Sequence, residues 1–325
     1  MIKNHYRPAL LVPTPLRRKA PAYVRLAKLD IFDYYLGLLI VWSLLPAEAR
    51  LDGRVLATLA LFLLSEISIV AATVSFDDVT GYRDGSDAVN YGPDAPARRL
   101  ARKPLLTQEL TPAEATRFGW VALATAVFLS AAAIAVAPAP PTWAVVVTAV
   151  CLAAAVQWSW GLKLSHHGFN EAILAGVGVG WLLAPYGLIT GAAPGFVVVQ
   201  ALVFGMGPLL FGVYSNTNDV TGDAKVGRWT AATMLSARGN AVTIAVVSLL
   251  QVLLIVGAPL VNVAPWWFPL AMLPIIALRA RQLDIGVRRH DILVARKLGI
   301  TTHRTAVVVL VVVNLVYAQV GGGVS

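Results

Sequence analysis

The chain has 325 residues, 58% of them hydrophobic and 13% charged, with a mean hydropathy of +0.71 and a formal net charge of +9. Soluble domains carry roughly 25% charged and about 45–50% apolar residues, so this composition excludes an ordinary water-soluble domain. The single cysteine, Cys151, excludes a disulfide framework and any multi-cysteine metal site.

The apolar residues come in blocks about 20 residues long, enough to cross roughly 30 Å of hydrocarbon as a helix. Nine spans are predicted, at about 31–47, 55–76, 118–137, 142–161, 170–192, 195–215, 241–261, 264–279 and 305–321. The expected fold is all-α: a polytopic bundle of nine transmembrane helices over residues 31–321, after a basic segment at 1–30 and before a short tail at 322–325. The first 30 residues hold Pro15, Arg17, Arg18 and Lys19 and no compact apolar core before a small-residue cleavage site, which argues against a signal peptide. TGAAPG, where spans five and six meet, predicts a tight helical hairpin. The eighth span is short and holds Pro265, Trp266, Trp267, Pro269 and Pro274.

Charge orients this bundle. If nine helices alternate sides, one side receives 1–30, 77–117, 162–169, 216–240 and 280–304, which with their borders hold 24 of the 26 Lys and Arg; the exceptions are Arg50 and Arg54. Positive loops stay inside, so the N-terminus is expected in the cytoplasm and the C-terminus outside. The positive charge therefore reports topology and anionic lipid headgroups of the bilayer, not nucleic acid.

Two acidic clusters fall on the cytoplasmic side. DDVTGYRDGSD carries Asp77, Asp78, Asp84 and Asp87; NTNDVTGDAKVGRWT carries Asn216, Asn218, Asp219 and Asp223. Asp219 and Asp223 are four apart and Asp77 and Asp84 seven apart, spacings that stack carboxylates on one helical face. Like charges so placed repel unless a cation joins them. Hard oxygens from two helices suit Mg²⁺, which takes one or two carboxylates and completes its shell with water and substrate phosphates. The candidate metal set is Asp77, Asp78, Asp84, Asp87, Asp219 and Asp223. Basic neighbours Arg83, Lys163, Lys225 and Arg228, with Asn216 and Asn218, form the candidate diphosphate set. The bland alternative, solvated helix ends, is weakened by two such clusters on one side of the membrane.

The run Asp219-x-x-Gly222-Asp223-x-x-x-Gly227-x-x-Thr230 resembles the second aspartate motif of the UbiA superfamily of intramembrane prenyltransferases. Asn216 is similar to an asparagine of the naphthoate-prenylating branch. GLKLSHHGFNEAILAGVGVG resembles the loop between the fourth and fifth helices of chlorophyll-synthase-like and naphthoate-prenylating members, which puts Lys163 where a basic residue contacts diphosphate. The first motif departs from the usual Asn-Asp-x-x-Asp-x-x-x-Asp: Asp77 replaces the asparagine, Asp78 matches, and Gly81 and Gly85 empty the third and fourth positions. Gly85-x-Asp87 is similar to naphthoate-type members, and Arg102-Lys103-Pro104-Leu105 to a basic, proline-containing segment after the motif. Asp84, about one turn beyond Gly81, is the candidate replacement.

The resemblance implies a Mg²⁺-dependent membrane enzyme that ionises an isoprenyl diphosphate and transfers the prenyl group to an aromatic or lipophilic acceptor. Some members of the superfamily instead cyclise the donor without an acceptor, as terpene synthases. The implied catalytic set is Asp77, Asp78, Asp84, Asp219, Asp223 and Glu66. Trp42, Trp158, Trp160, Trp181, Tyr186 and Tyr214 could guide a cation, though each is more simply an interface anchor or packing residue. Glu66 lies eleven residues before Asp77 on nearly the same helical face, either as a protonated structural group or as a cation or proton partner. Glu171 reads as a helix-start charge, His166 and His167 as loop residues, and Gln157 and Asn314 as makers of helix–helix hydrogen bonds. A transporter would instead place charges mid-membrane in inverted halves; here both clusters share one face.

Overall fold

The computed structural model describes residues 16–91 and 100–319. The tail at 322–325 and the first fifteen residues of the basic segment lie outside the described residues. Within them the secondary structure is helical, with no strand. In chain order the helices are α1 (Leu16–Leu26), α2 (Gly37–Leu44), α3 (Gly53–Asp84), α4 (Ser86–Asn90), α5 (Pro112–Val136), α6 (Thr142–Gln157) and α7 (Asn170–Thr190). They continue with α8 (Gly195–Lys225), α9 (Ala231–Met234), α10 (Ala237–Leu260), α11 (Phe268–Ala271), α12 (Leu273–Leu283) and α13 (Ile292–Gln319).

Six helices, α3, α5, α7, α8, α10 and α13, are long and apolar enough to cross a membrane; α6 is apolar but has 16 residues. The first predicted span contains only the eight-residue α2. The eighth is divided into α11 and α12, with Pro269 and Pro274 each at the start of its helix. Proline is tolerated there because the first turn's N–H groups have no intrahelical partner, and the same prolines prevent one continuous rod.

Three helices run well past their predicted spans. α3 continues to Asp84, α8 to Lys225, and α13 begins at Ile292. The acidic clusters therefore sit on helix, not in loops after it. Charge ends the apolar pattern without ending the helix, since Lys and Arg are good helix formers and Asp costs only about 0.7 kcal/mol relative to Ala. What stops α3 is Gly85, at φ +82°, which turns the chain directly into α4. α5 opens on a reciprocal cap, in which Thr111 accepts from the Glu114 N–H and Glu114 accepts from the Thr111 N–H.

Small residues set the packing. On α5, Ala115, Gly119, Ala122, Ala126, Ser130 and Ala133 form one buried stripe at helical spacing against α3. Ser65 donates to the Ala126 carbonyl at 2.9 Å and lies 2.6 Å from the Ser130 hydroxyl, and Ser75 donates to the Ala115 carbonyl at 2.8 Å. Between α7 and α8, a Cβ on Gly178 would stand 2.8 Å from the Gly205 Cα, so these backbones touch. Polar ties fix the remainder. Gln200 and Asn314 exchange amide hydrogen bonds at 2.6 and 2.9 Å, and Asn314 also donates to Ser43, joining α8, α13 and α2. The expected role of Asn314 is thus met. Gln157 instead closes its own turn, accepting from the Leu162 N–H at 2.7 Å.

Candidate active site

A cavity of about 400 Å³ runs into the bundle from the end where the acidic clusters meet. Its mouth carries Asp77 from α3, Asn216, Asp219 and Asp223 from α8, and Arg228 from the turn after α8. Its inner wall is apolar: Val70 and Val74 from α3, Ile173, Leu174, Val177 and Trp181 from α7, Pro208 and Phe211 from α8. A smaller polar cavity adjoins it, sharing Asp77, Asp219, Asp223 and Arg228 and adding Asp87 and Lys103.

The two clusters are joined by cations of the protein itself. Arg228 donates to Asp77 at 3.2 Å and lies 3.7 Å from the Asp223 carboxylate, with its guanidinium over the Trp158 ring. Lys103, only 4% exposed, bonds Asp78 and Asp87 at 2.7 Å each, and Lys28 reaches the same Asp78 oxygen at 2.7 Å. Burial disfavours the Lys103 ammonium, but Asp78, Asp87 and Asp77 outweigh it and raise its pKa. Burial likewise opposes the Arg228 charge, and Asp77 and Asp223 more than restore it. Burial pushes the Asp87 carboxyl up to about 6, against the pull of Lys103 and with the help of Asp78 and Asp77.

The other predicted residues divide by position. Asp78 is buried beneath the cavity wall in its lysine pairs. Asp84 accepts from the Ser86 N–H at 2.9 Å, starting α4, and faces His166 at 3.9 Å. Burial, then Arg228 and Lys163, lower the His166 pKa to about 4, so at neutral pH this is a contact with a neutral ring and not an ion pair. Asp87, not Asp84, fills the space at Gly81: a Cβ there would stand 2.7 Å from the Asp87 carboxyl carbon. Arg83 lies over the Trp160 ring; Lys163 and Lys225 are exposed, outside both cavity linings. Asn218 donates to Asp219 at 2.9 Å. Glu66 is buried in the bundle. Of the aromatic candidates, Trp158 and Trp181 line the cavity, whereas Trp160 stacks on Phe76, Tyr214 donates to the Gln282 carbonyl, Trp42 donates to the Arg50 carbonyl and Tyr186 is core.

Sequence reasoning misses Lys28, Lys103, Arg296 and Arg304. Lys103 had a signal, as the basic residue before Pro104 in the loop after the first cluster. Lys28 had none beyond belonging to a basic segment. Arg296 and Arg304 line the cavity because α13 begins earlier than its apolar pattern. Glu171 does more than open α7: its carboxylate accepts from Asn216 at 3.0 Å and from the Ala231 N–H at 3.1 Å, tying α7, α8 and α9 at the mouth.

Among the described residues, no three His, Cys, Asp or Glu side chains close into a metal cage. The arrangement is an open bed of hard oxygens and fixed cations at the head of an apolar tunnel. Chemically, that fits a ligand with a polyanionic head and a hydrocarbon tail.

The model of the UbiA prenyltransferase family matches residues 36–318. No curated protein matches the chain. Among solved structures, a UbiA homolog from Archaeoglobus fulgidus bound to DMAPP and Mg²⁺ is 17% identical, with a TM-score of 0.61 over 88% of this chain and 99% of that one. A digeranylgeranylglyceryl phosphate synthase is 13% identical, with a TM-score of 0.60 over 91% of this chain and 99% of that one. An apo UbiA homolog from Aeropyrum pernix K1 is 14% identical, with a TM-score of 0.59 over 88% and 98%. An integral membrane protein with this helical fold and a family match over most of its length, the chain belongs to the UbiA prenyltransferase family.

Proposed function

We propose that this protein is a Mg²⁺-dependent prenyltransferase that ionises an isoprenyl diphosphate at the cavity mouth and passes the prenyl group to an aromatic or lipophilic acceptor. The observation that carries this reading is the junction of Asp77 and Asp223 through Arg228 at the head of an apolar cavity. In this reading the bundle crosses the bilayer nine times, with the mouth and N-terminus in the cytoplasm and the C-terminus outside, as the charge distribution supports.

The donor set fits Mg²⁺: hard carboxylate oxygens from two helices, around a space that phosphate oxygens would share. Asp77, Asp219 and Asp223 would hold the metal, with Asp87 behind them. Held by these residues, Mg²⁺ would supply charge neutralisation for the departing diphosphate. Arg228 and Lys28 add fixed positive charge at the same point, and Asn216 a neutral hydrogen-bonding amide. Asp78 and Lys103 hold Asp87 and the turn into α4 in place. As the C–O bond breaks, its electron pair leaves with the diphosphate and the tail retains an allylic cation. Trp158 and Trp181 line the cavity, where their rings would stabilise such a cation and exclude water.

The test uses purified protein in lipid nanodiscs with ten-, fifteen- and twenty-carbon diphosphates and Mg²⁺, with and without aromatic acceptors, and products identified by mass spectrometry. A prenylated acceptor lost in Asp219→Ala supports the reading. Hydrocarbon or alcohol formed from the donor alone identifies a cyclase instead, and diphosphate release that survives Asp219→Ala overturns the site.

A further inference from the structure

Beneath the cavity lies a polar group that diphosphate chemistry does not use. Val70, Thr73 and Asp77 line the cavity from one face of α3, and Glu66, four residues before Val70, continues that face one turn deeper. The same step recurs on α6, where Ala155 lines the cavity and Cys151 lies one turn beneath it, and in the turn before α2 Tyr35 adjoins the cavity-lining Tyr34. Glu66, Tyr35 and Cys151 stand near one another, close enough for the Glu66 carboxyl to act electrostatically on both the Tyr35 hydroxyl and the Cys151 thiol.

Glu66 is 1% exposed, and among the described residues neither of its carboxyl oxygens, nor the Tyr35 hydroxyl, makes a hydrogen bond. Buried polar groups are nearly always bonded, and an ionisable group inside a membrane bundle marks a function more often than packing. Distance decides which function. Eleven residues at 1.5 Å each separate Glu66 from Asp77, about 16 Å along α3. If the bond that breaks lies at the Asp77 end, Glu66 stands too far along the helix to touch the reacting carbon. It lies behind the cavity lining, one turn beyond Val70, toward the far end of whatever tail fills the cavity.

Resting on the prenyltransferase reading, we propose that Glu66 and Tyr35 are specificity-determining residues: a polar floor that stops the hydrocarbon tail near Val70 and thereby sets the longest donor this protein accepts. Hydrocarbon pushed past Val70 would lie against oxygens that it cannot hydrogen-bond, and would have to displace the Glu66 side chain from tightly packed surroundings. Either effect penalises each added carbon at that depth and leaves shorter tails untouched.

The experiment measures affinity for ten-, fifteen- and twenty-carbon prenyl diphosphates in nanodiscs, by ligand-induced thermal stabilisation, for wild type, Glu66→Ala, Glu66→Gln and Tyr35→Phe. Glu66→Ala is expected to raise the twenty- to ten-carbon affinity ratio by about tenfold or more, the scale on which a pocket discriminates methylenes. Glu66→Gln, which keeps size and hydrogen-bonding character, keeps the ratio within about twofold of wild type. Tyr35→Phe shifts it in the same direction as Glu66→Ala, by less. An unchanged ratio in Glu66→Ala, or an equal shift in Glu66→Gln, overturns the proposal. Tyr35→Phe, which removes only a hydroxyl, keeps the test open should Glu66→Ala fail to fold: no shift there overturns it too. Binding reads out tail length whether or not turnover occurs. A wild-type protein that binds donors without releasing diphosphate therefore refutes the enzyme reading alone.

Discussion

Asp77 on α3 and Asp223 on α8 share one guanidinium, that of Arg228, at 3.2 and 3.7 Å. One side chain thus couples the two acidic clusters and stands where a diphosphate would need positive charge. Arg228→Gln is expected to lower kcat/KM for diphosphate release by about 100-fold or more, the scale for losing a fixed charge-stabilising donor. Arg228→Lys recovers only part of this, because an ammonium cannot span both carboxylates in one plane. Steady-state kinetics with a coupled pyrophosphate assay decides it, and full activity in Arg228→Lys would show that the planar fork is not required.

Lys103 is the counter-ion for two buried carboxylates, Asp78 and Asp87. Lys103→Met leaves those like charges facing each other with Lys28 as the remaining cation near Asp78, and should cost about 3–5 kcal/mol of stability, as for other broken buried pairs. The check is thermal unfolding in detergent, where Lys103→Met should melt well below wild type. Adding Asp87→Asn to Lys103→Met should recover part of the loss.

Glu171 ties Asn216 and the Ala231 amide together at the mouth. Glu171→Gln retains an acceptor oxygen and is expected to be mild. Glu171→Ala frees Asn216 and the start of α9, raising KM for the donor by roughly 10-fold, the loss of about one charge-assisted hydrogen bond. An unchanged KM in Glu171→Ala would mean that the α9 turn is held by its other contacts.

His166 and Asp87 give opposite pH dependences. The His166 pKa falls from its usual 6.5 to about 4 on folding, so between those values the unfolded chain binds more protons and stability is lost as pH falls. The Asp87 pKa rises from 3.8 to about 6, so across that window the folded chain binds more protons and stability is gained as pH falls. The histidine leads at the high end, near pH 6.5, where the unfolded ring is half protonated and the folded Asp87 carboxyl is still mostly ionised. His166→Gln should therefore flatten the early acid loss in melting temperature, and Asp87→Asn should steepen the later one. Melting curves for both variants at half-unit pH steps provide the measurement.

The long apolar helices and the pairing of the two clusters on one face are legible in the sequence, because hydrophobic length and Asp spacing are local patterns. Asp219 and Asp223, candidates from the sequence, both line the cavity mouth. What the sequence hides are the counter-ions. Lys28 is an ordinary basic residue until folding brings it onto Asp78, and the proline-flanked segment that marks Lys103 does not say which carboxylates it meets. Helix ends are hidden for a different reason. The hydropathy of α13 fades before its hydrogen-bonding does, so Arg296 and Arg304 read as loop and emerge as cavity wall.

Gly178 and Gly205 bring the α7 and α8 backbones into contact partway along the bundle. Two rods joined at that point cannot splay independently, so they act as the fixed jaw of the tunnel. The opposite wall, built from α13 and the turn before α2, is tied by side chains instead, with Arg304 donating to Asp33 at 2.6 Å.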